Sequence, residues 1–146
     1  MQSVKESILE ILFQEQALHQ AYSDKIPLFP VFLRGKMQGW IGEEWKHVEA
    51  VKQVLEIEKW APPVGRPADV PVAPKGETEI HAILDRLYQM EEQLFSDYQE
   101  ALREIGGFEQ EETKAERLRA VLVPHLEDHE RRLATIRRLY SDFFYY

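Results

Sequence analysis

The sequence predicts an all-α protein folded as an antiparallel four-helix bundle. Apolar side chains recur at spacings of three and four residues along four long segments, as expected for helices that each bury one face. A proline-rich stretch, residues 61–76, separates the second segment from the third and is long enough to cross the bundle from end to end. With 146 residues and 44% hydrophobic content, the chain is expected to form one domain over residues 1–146.

The first helix is predicted over residues 3–22 and the second over residues 31–59. Pro27 and Pro30 mark the break between them. Each glycine in a helix costs about 1 kcal/mol relative to alanine, so three glycines weaken the first half of the second helix: Gly35, Gly39 and Gly42. A helix that begins only near Trp40 is the alternative.

The third helix is predicted over residues 78–105 and the fourth over residues 110–141. Gly106 and Gly107 are typical of a helix C-terminus and set the end of the third helix. Pro124 lies inside the fourth helix, where it removes one backbone hydrogen bond, and the sequence leaves open whether it kinks the helix.

The overall charge argues against two classes of partner. A net charge of −8 and a pI near 5.2 do not favour nucleic acid or an anionic membrane surface. Two basic pairs, Arg131-Arg132 and Arg137-Arg138, have the spacing of a solvated helix face. The absence of cysteine excludes disulfides, thiolate metal sites and a cysteine nucleophile. No signal-like N-terminus and no long apolar run is present, so a cytoplasmic location is expected.

All four predicted helices interrupt their apolar face with side chains of the types that bind metals. Glu44 and His47, three residues apart in the second helix, lie on one face and are within reach of the same ion. Burying such groups without compensation costs more than the few kcal/mol of net stability of a domain. A bound cation offsets that cost because it neutralises carboxylates and coordinates neutral imidazoles. The candidate metal ligands are Glu15, Glu44, His47, Glu91, His125 and His129.

The number of candidate ligands predicts more than one ion. A lone buried histidine is most often a hydrogen-bonded core residue, and a lone glutamate is often misassigned to a core face. Three glutamates and three histidines together exceed what one tetrahedral zinc ion needs. They suit two divalent ions of the first transition row, iron or manganese, that share carboxylates in the core of a helical bundle.

Four motifs follow one another along the chain: Glu15…Tyr22, Glu44-x-x-His47, Glu91…Tyr98 and a histidine in the last helix. Their order resembles that of the ferritin-like superfamily. Residues 43–47 look like part of the second helix of bacterioferritins and rubrerythrins. The resemblance implies redox chemistry with oxygen or peroxide, or ferroxidase-type oxidation. It also implies roles for the individual residues: Glu15 and Glu91 as terminal carboxylate ligands, Glu44 as a bridging ligand, and His47 and His129 as imidazole ligands.

The sequence departs from that family in the last helix. A second Glu-x-x-His is expected there, but Leu126 stands three residues before His129. One bridging carboxylate is therefore missing, which leaves open whether two metals bind. His125 is a candidate replacement ligand, and Glu127 or Glu130 is one only if Pro124 distorts the helix.

Two alternatives remain. His47, His125 and His129 resemble the ligand set of the DinB/YfiT-like bundles, which implies a mononuclear zinc- or nickel-dependent hydrolase or transferase but leaves Glu15 and Glu91 unexplained. The other is a non-enzymatic helical interaction module. We expect a homodimer or higher homo-oligomer, with a small molecule or an oxygen species as substrate.

Overall fold

All regular structure in the described part of the chain is helical. The structure is a computed structural model that describes residues 4–60, 79–107 and 112–143, and no strand occurs in these ranges. The all-α prediction is therefore confirmed. The helices are α1 (Val4–Lys25), α2 (Val31–Met37), α3 (Gly39–Ile57), α4 (Ile80–Ile105) and α5 (Glu112–Phe143), and a 3₁₀ turn (Ile26–Leu28) follows α1.

The prediction of one continuous second helix over residues 31–59 is wrong. The helix is divided into α2 and α3 by Gln38, although that residue itself has helical backbone angles, φ −60° and ψ −36°. Gly35, Gly39 and Gly42 explain why the helix is interrupted here, because glycine favours helical backbone less than any residue except proline. The alternative, a helix that begins near Trp40, describes α3 closely.

The other helix bounds follow the predictions to within a few residues. α1 continues three residues beyond the predicted end, and α4 stops at Ile105, directly before Gly106. The N-terminus of α4 is capped by Glu79, whose carboxylate accepts hydrogen bonds from two backbone N–H groups at 3.0 and 2.6 Å. α5 runs through Pro124 without interruption. The linker over residues 61–76 lies outside the described residues.

Pairs of contacting side chains give the directions of the helices. Contacts of Ser7 with Glu104 and of Tyr22 with Glu91 make α1 antiparallel to α4. α1 is likewise antiparallel to α3, and α4 to α5, by the pairs Tyr22–Trp40, Glu15–His47, Tyr98–His125 and Tyr88–Arg137. α3 and α4 therefore run in the same direction. The predicted crossover between them stays a prediction, since its residues are not described.

The hydrophobic core lies between the four long helices, and the predicted apolar positions line it. Ile8, Ile11, Val51, Leu87 and Ile136 have no exposed surface. None of the helices in the described ranges is both long and apolar enough to cross a membrane. The polar side chains described next interrupt this core.

Candidate metal centre

One polar cluster occupies the interior of the structure. The six residues singled out in the sequence all belong to it, and four of them are completely buried: Glu15, Glu44, Glu91 and His129. His47 is 2% exposed and His125 8% exposed. α1, α3, α4 and α5 each contribute at least one member. Three further side chains join the cluster, and each has no exposed surface: Tyr22, Tyr98 and Arg132.

His129 is held by a carboxylate on one side and faces two others. Its Nδ1 lies 2.5 Å from Oε2 of Glu91. Because an ionised carboxylate only accepts hydrogen bonds, this nitrogen carries a hydrogen. The other ring nitrogen, Nε2, is hydrogen-bonded to Oε2 of Glu15 at 3.1 Å and lies 3.0 Å from Oε1 of Glu15 and 3.7 Å from Oε1 of Glu44. The Glu91 contact thereby directs Nε2 toward Glu15 and Glu44.

His47 repeats this arrangement from the opposite side. Its Nε2 lies 2.8 Å from Oδ2 of Asp128, so Nε2 carries a hydrogen. Its Nδ1 lies 3.0 Å from Oε2 of Glu15 and 3.3 Å from Oε1 of Glu44. Both imidazoles thus turn one nitrogen toward the same two carboxylates. A histidine that binds a metal is commonly oriented in this way, by a hydrogen bond from its other ring nitrogen.

Three buried atoms of the residues that meet here lack a hydrogen-bond partner. They are Oε1 of Glu15, Oε2 of Glu44 and Nδ1 of His47. The short distances from Nδ1 to the two carboxylates do not have the angles of hydrogen bonds, so proximity alone does not satisfy these atoms. Leaving them unpaired costs about 1–3 kcal/mol each. Glu15, Glu44, His47 and His129 each offer a ligand atom here, and these four atoms lie within 4.8 Å of one another.

The spacing fits coordination of one ion. Oxygen and nitrogen ligands about 2.1 Å from a metal lie at most about 4.2 Å apart, so only a small contraction of the four atoms is needed. A second group of possible ligands, Glu43, His47 and Asp128, lies closer to the surface. Arg131 donates to both of its carboxylates, at 2.8 and 3.0 Å, and already neutralises part of their charge.

Arg132 corrects one prediction from the sequence. The solvated-face interpretation holds for Arg131, whose side chain is 55% exposed, but is wrong for Arg132, which is completely buried. The guanidinium of Arg132 donates from Nη1 to Oε1 of Glu44 and to Oε1 of Glu91. Its Nε and Nη2 donate to Oε1 of Glu43 at 2.9 and 2.6 Å. Burial is possible because three carboxylates surround the charge.

Glu91 is fully engaged by protein donors. Its Oε1 accepts from the hydroxyl of Tyr22 and from Arg132, and its Oε2 accepts from His129. Glu91 therefore has no free oxygen, unlike Glu15 and Glu44. It is not among the four residues that could hold one ion together.

His125 lies beside the proposed ligands rather than among them. Its ring stacks on that of His47 with 4.0 Å between centroids. Its Nδ1 lies 3.0 Å from the hydroxyl of Tyr98, and that hydroxyl donates to Oε2 of Glu15 at 2.6 Å. His125 and Tyr98 thus orient Glu15. The three-histidine set of the DinB-like alternative is close together, but the atoms that could share an ion include only His47 and His129.

The electrostatics of the cluster set its protonation in the absence of metal. Burial lowers the pKa of His47, but the close carboxylates of Glu15 and Glu44 outweigh it and raise that pKa to about 9. Burial and the charge of Glu15 raise the pKa of Glu44 to about 7. Burial raises the pKa of Glu15, but the charge and hydrogen bond of His129, together with the contacts of His47 and Glu44, outweigh it and hold that pKa well below its usual range. Burial and the charge of His47 lower the pKa of His125 to about 3.

These values predict how the stability of the metal-free protein depends on pH. His47 has a folded pKa above its unfolded value of 6.5, so its contribution is complete below pH 6.5 and is lost as the pH rises through 9. The pKa of Glu44 is also higher in the folded chain, so its contribution to stability is likewise lost as the pH rises, between pH 4.5 and 7. The pKa of His129 is also raised well above its usual value, so His129 adds to the loss over the same pH range. We expect urea unfolding of chelator-treated protein to show a loss of at least about 3 kcal/mol between pH 6.5 and 9. In a His47→Gln variant the part of the slope due to His47 should disappear and the part due to His129 should remain, whereas a slope equal to that of the unmodified chain would contradict the assignment to His47.

Arg132, a member of this cluster, and Asp128, which contacts the cluster through His47, were missed in the sequence. Arg132 lies three residues after His129 and four before Ile136, spacings that put it on the buried face of α5. Asp128, which holds His47, has a half-buried side chain and carries no periodic signal of burial. The first could have been found from spacing, and the second could not.

Comparison of the chain with protein-family models, curated proteins and solved structures found no match. The buried Glu/His cluster fits a metal-binding helical protein. The resemblance to the ferritin-like superfamily rests on the residues quoted above.

Proposed function

We propose that this protein binds one divalent metal ion in its core and that the ion is held by Glu15, Glu44, His47 and His129. The observation that carries the proposal is the set of buried atoms without a hydrogen-bond partner, which belong to three of these four residues. A protein interior rarely leaves such atoms unpaired, and a cation between them satisfies all three at once.

The surrounding residues support the same proposal. Glu91 and Asp128 accept hydrogen bonds from the outer nitrogens of the two histidines, and Tyr98 donates to Oε2 of Glu15. Each such contact fixes the orientation of a ligand before any ion binds. Sites prepared in this way lose little entropy on metal binding.

The ligand types favour iron or manganese. Two carboxylates and two imidazoles form a mixed oxygen and nitrogen set without thiolate, and four protein ligands leave positions open on an ion that takes six. A bound iron or manganese ion supplies redox chemistry with oxygen or peroxide, and this is the activity we propose. The chain's own contribution is to hold the ion away from bulk water and to leave part of its coordination sphere free.

Metal content tests the binding proposal. Chelator-treated protein incubated with iron(II) or manganese(II) and then desalted should retain one ion per chain by elemental analysis. Glu15→Gln removes one ligand charge and should abolish retention. Glu10→Gln changes the same residue type on the exposed face of the same helix and should leave retention unchanged. If the unmodified chain retains no ion, or if Glu15→Gln retains as much as Glu10→Gln, the proposed site is wrong.

The redox part has its own test. Iron(II) oxidation in air, followed by the absorbance of iron(III), should be faster with the unmodified chain than with Glu15→Gln. Equal rates, in a chain that does retain iron, would contradict the redox activity and leave the metal site in place.

A further inference from the structure

Arg132 is the one completely buried side chain with a permanent positive charge among the described residues. Its two terminal nitrogens have different partners. Nη2, together with Nε, donates to Glu43, whereas Nη1 points inward and joins Glu44 to Glu91. The guanidinium therefore bridges two carboxylates from α3 and α4, as a bridging cation does.

The charges of the buried carboxylates and of Glu43 determine how many ions this contact permits. Four carboxylates, Glu15, Glu43, Glu44 and Glu91, accompany one guanidinium, which leaves an excess of three negative charges when the imidazoles are neutral. One divalent ion leaves an excess of one negative charge, so a second divalent ion would make the cluster positive, which a low-dielectric interior disfavours. Without the guanidinium, two divalent ions balance the four carboxylates.

The hydrogen bonds of Arg132 also occupy oxygen atoms that a second ion would need as ligands. Oε1 of Glu44 and Oε1 of Glu91 both accept from Arg132. An ion placed between Glu44 and Glu91 would need these oxygens and would lie next to the positive charge of the guanidinium. Arg132 thus opposes a second ion in two ways, through charge and through occupied ligands.

We propose that Arg132 limits the metal centre to one ion by acting as a fixed cation at the position where a second ion would join Glu44 to Glu91. This inference rests on the proposed function and adds to it the residue that determines how many ions bind. Removing the positive charge should open a second site, formed by Glu44, Glu91 and the half-buried Glu43.

The experiment compares variants at position 132 with a matched neighbour. Full-length chelator-treated protein is titrated with manganese(II) and desalted, and metal is counted by elemental analysis. Arg132→Ala and Arg132→Gln should retain two ions per chain, twice the content of the unmodified chain. Arg132→Lys keeps the charge and should retain one. Arg131→Gln removes the exposed neighbouring arginine, which contacts Glu43 and Asp128, and should also retain one.

Electron paramagnetic resonance provides a readout that a purely structural role of Arg132 would not change. One isolated manganese(II) ion gives a six-line spectrum. Two ions about 3.5–4 Å apart, the usual spacing in dinuclear sites, couple magnetically and lose that spectrum. The coupled signal should appear in Arg132→Ala and Arg132→Gln and be absent in Arg132→Lys and in Arg131→Gln.

The outcomes separate the inference from the proposed function. If the unmodified chain retains no manganese, the proposed function fails; if it retains two ions, the limit set by Arg132 is wrong. If it retains one ion and Arg132→Ala and Arg132→Gln also retain one while folded by circular dichroism, only the inference is overturned. If these two variants fold only with excess manganese and then hold two coupled ions, the inference is supported. Failure of excess manganese to restore folding would contradict it.

Discussion

Glu44→Gln is expected to stabilise the metal-free protein and to remove its metal. Burial and the charge of Glu15 raise the pKa of Glu44 to about 7, so at pH 8 its ionised form is less favourable in the folded chain than in the unfolded one. Glutamine keeps the shape and an acceptor for Arg132 but carries no charge. We expect a gain on the order of 1–3 kcal/mol in the free energy of unfolding at pH 8.

The same substitution should abolish metal retention, because a neutral amide is a weak ligand for a hard divalent cation. We expect the affinity for manganese(II) to fall at least ~100-fold. Urea unfolding with chelator present and metal titration measure the two effects separately. Glu43→Gln is the matched control, since Glu43 is adjacent, contacts the same arginine and is outside the four-residue group. A Glu44→Gln chain that is less stable and still holds metal would contradict both the pKa and the ligand assignment.

Glu91→Gln is expected to have the opposite pattern, with lower stability and retained metal. Both oxygens of Glu91 accept hydrogen bonds from three protein groups: Tyr22, Arg132 and His129. Glutamine offers one oxygen and a donor amide, so at least one buried donor loses its partner and Arg132 loses a counter-charge. We expect a loss of about 2–4 kcal/mol in the free energy of unfolding.

At saturating manganese the Glu91→Gln variant should still retain one ion, with an affinity reduced about 10–100-fold because His129 is held less firmly. Glu92→Gln, the exposed neighbour, should change stability by less than about 0.5 kcal/mol. The dinuclear site expected from the sequence predicts loss of an ion on changing Glu91. Complete loss of metal from a folded Glu91→Gln chain would therefore favour Glu91 as a ligand and contradict the one-ion site.

The sequence located this cluster because helical periodicity is a strong signal. Glu15, Glu44, Glu91 and His129 interrupt apolar faces at positions where a packing helix would place leucine, and all four are completely buried. The same signal identified the four long helices. It failed only for the continuity of the second helix, which is interrupted because glycines lower the local helix propensity.

The partners of these residues could not be read from the sequence. Periodicity assigns a side chain to a face, but which side chains meet depends on the axial offset between helices. Arg132 shows the limit, because its spacing puts it on the buried face of α5 but does not reveal the carboxylates of α3 and α4 that surround its charge. Leu126 indicated that a carboxylate is missing. It did not indicate that a guanidinium binds Glu44 and Glu91 in the same interior.

The four proposed ligands lie on α1, α3 and α5, and Glu15 and His129 are 114 residues apart in the chain. An ion bound by these residues therefore cross-links the middle of three helices that are otherwise connected only through the chain at their ends. Because its ligands are buried, the ion can leave only when these helices separate. We expect chelator-driven release to be slow and to follow the same rate as amide hydrogen exchange in the centres of α1, α3 and α5. The lifetime of the bound metal would then measure how often the interior of this protein opens.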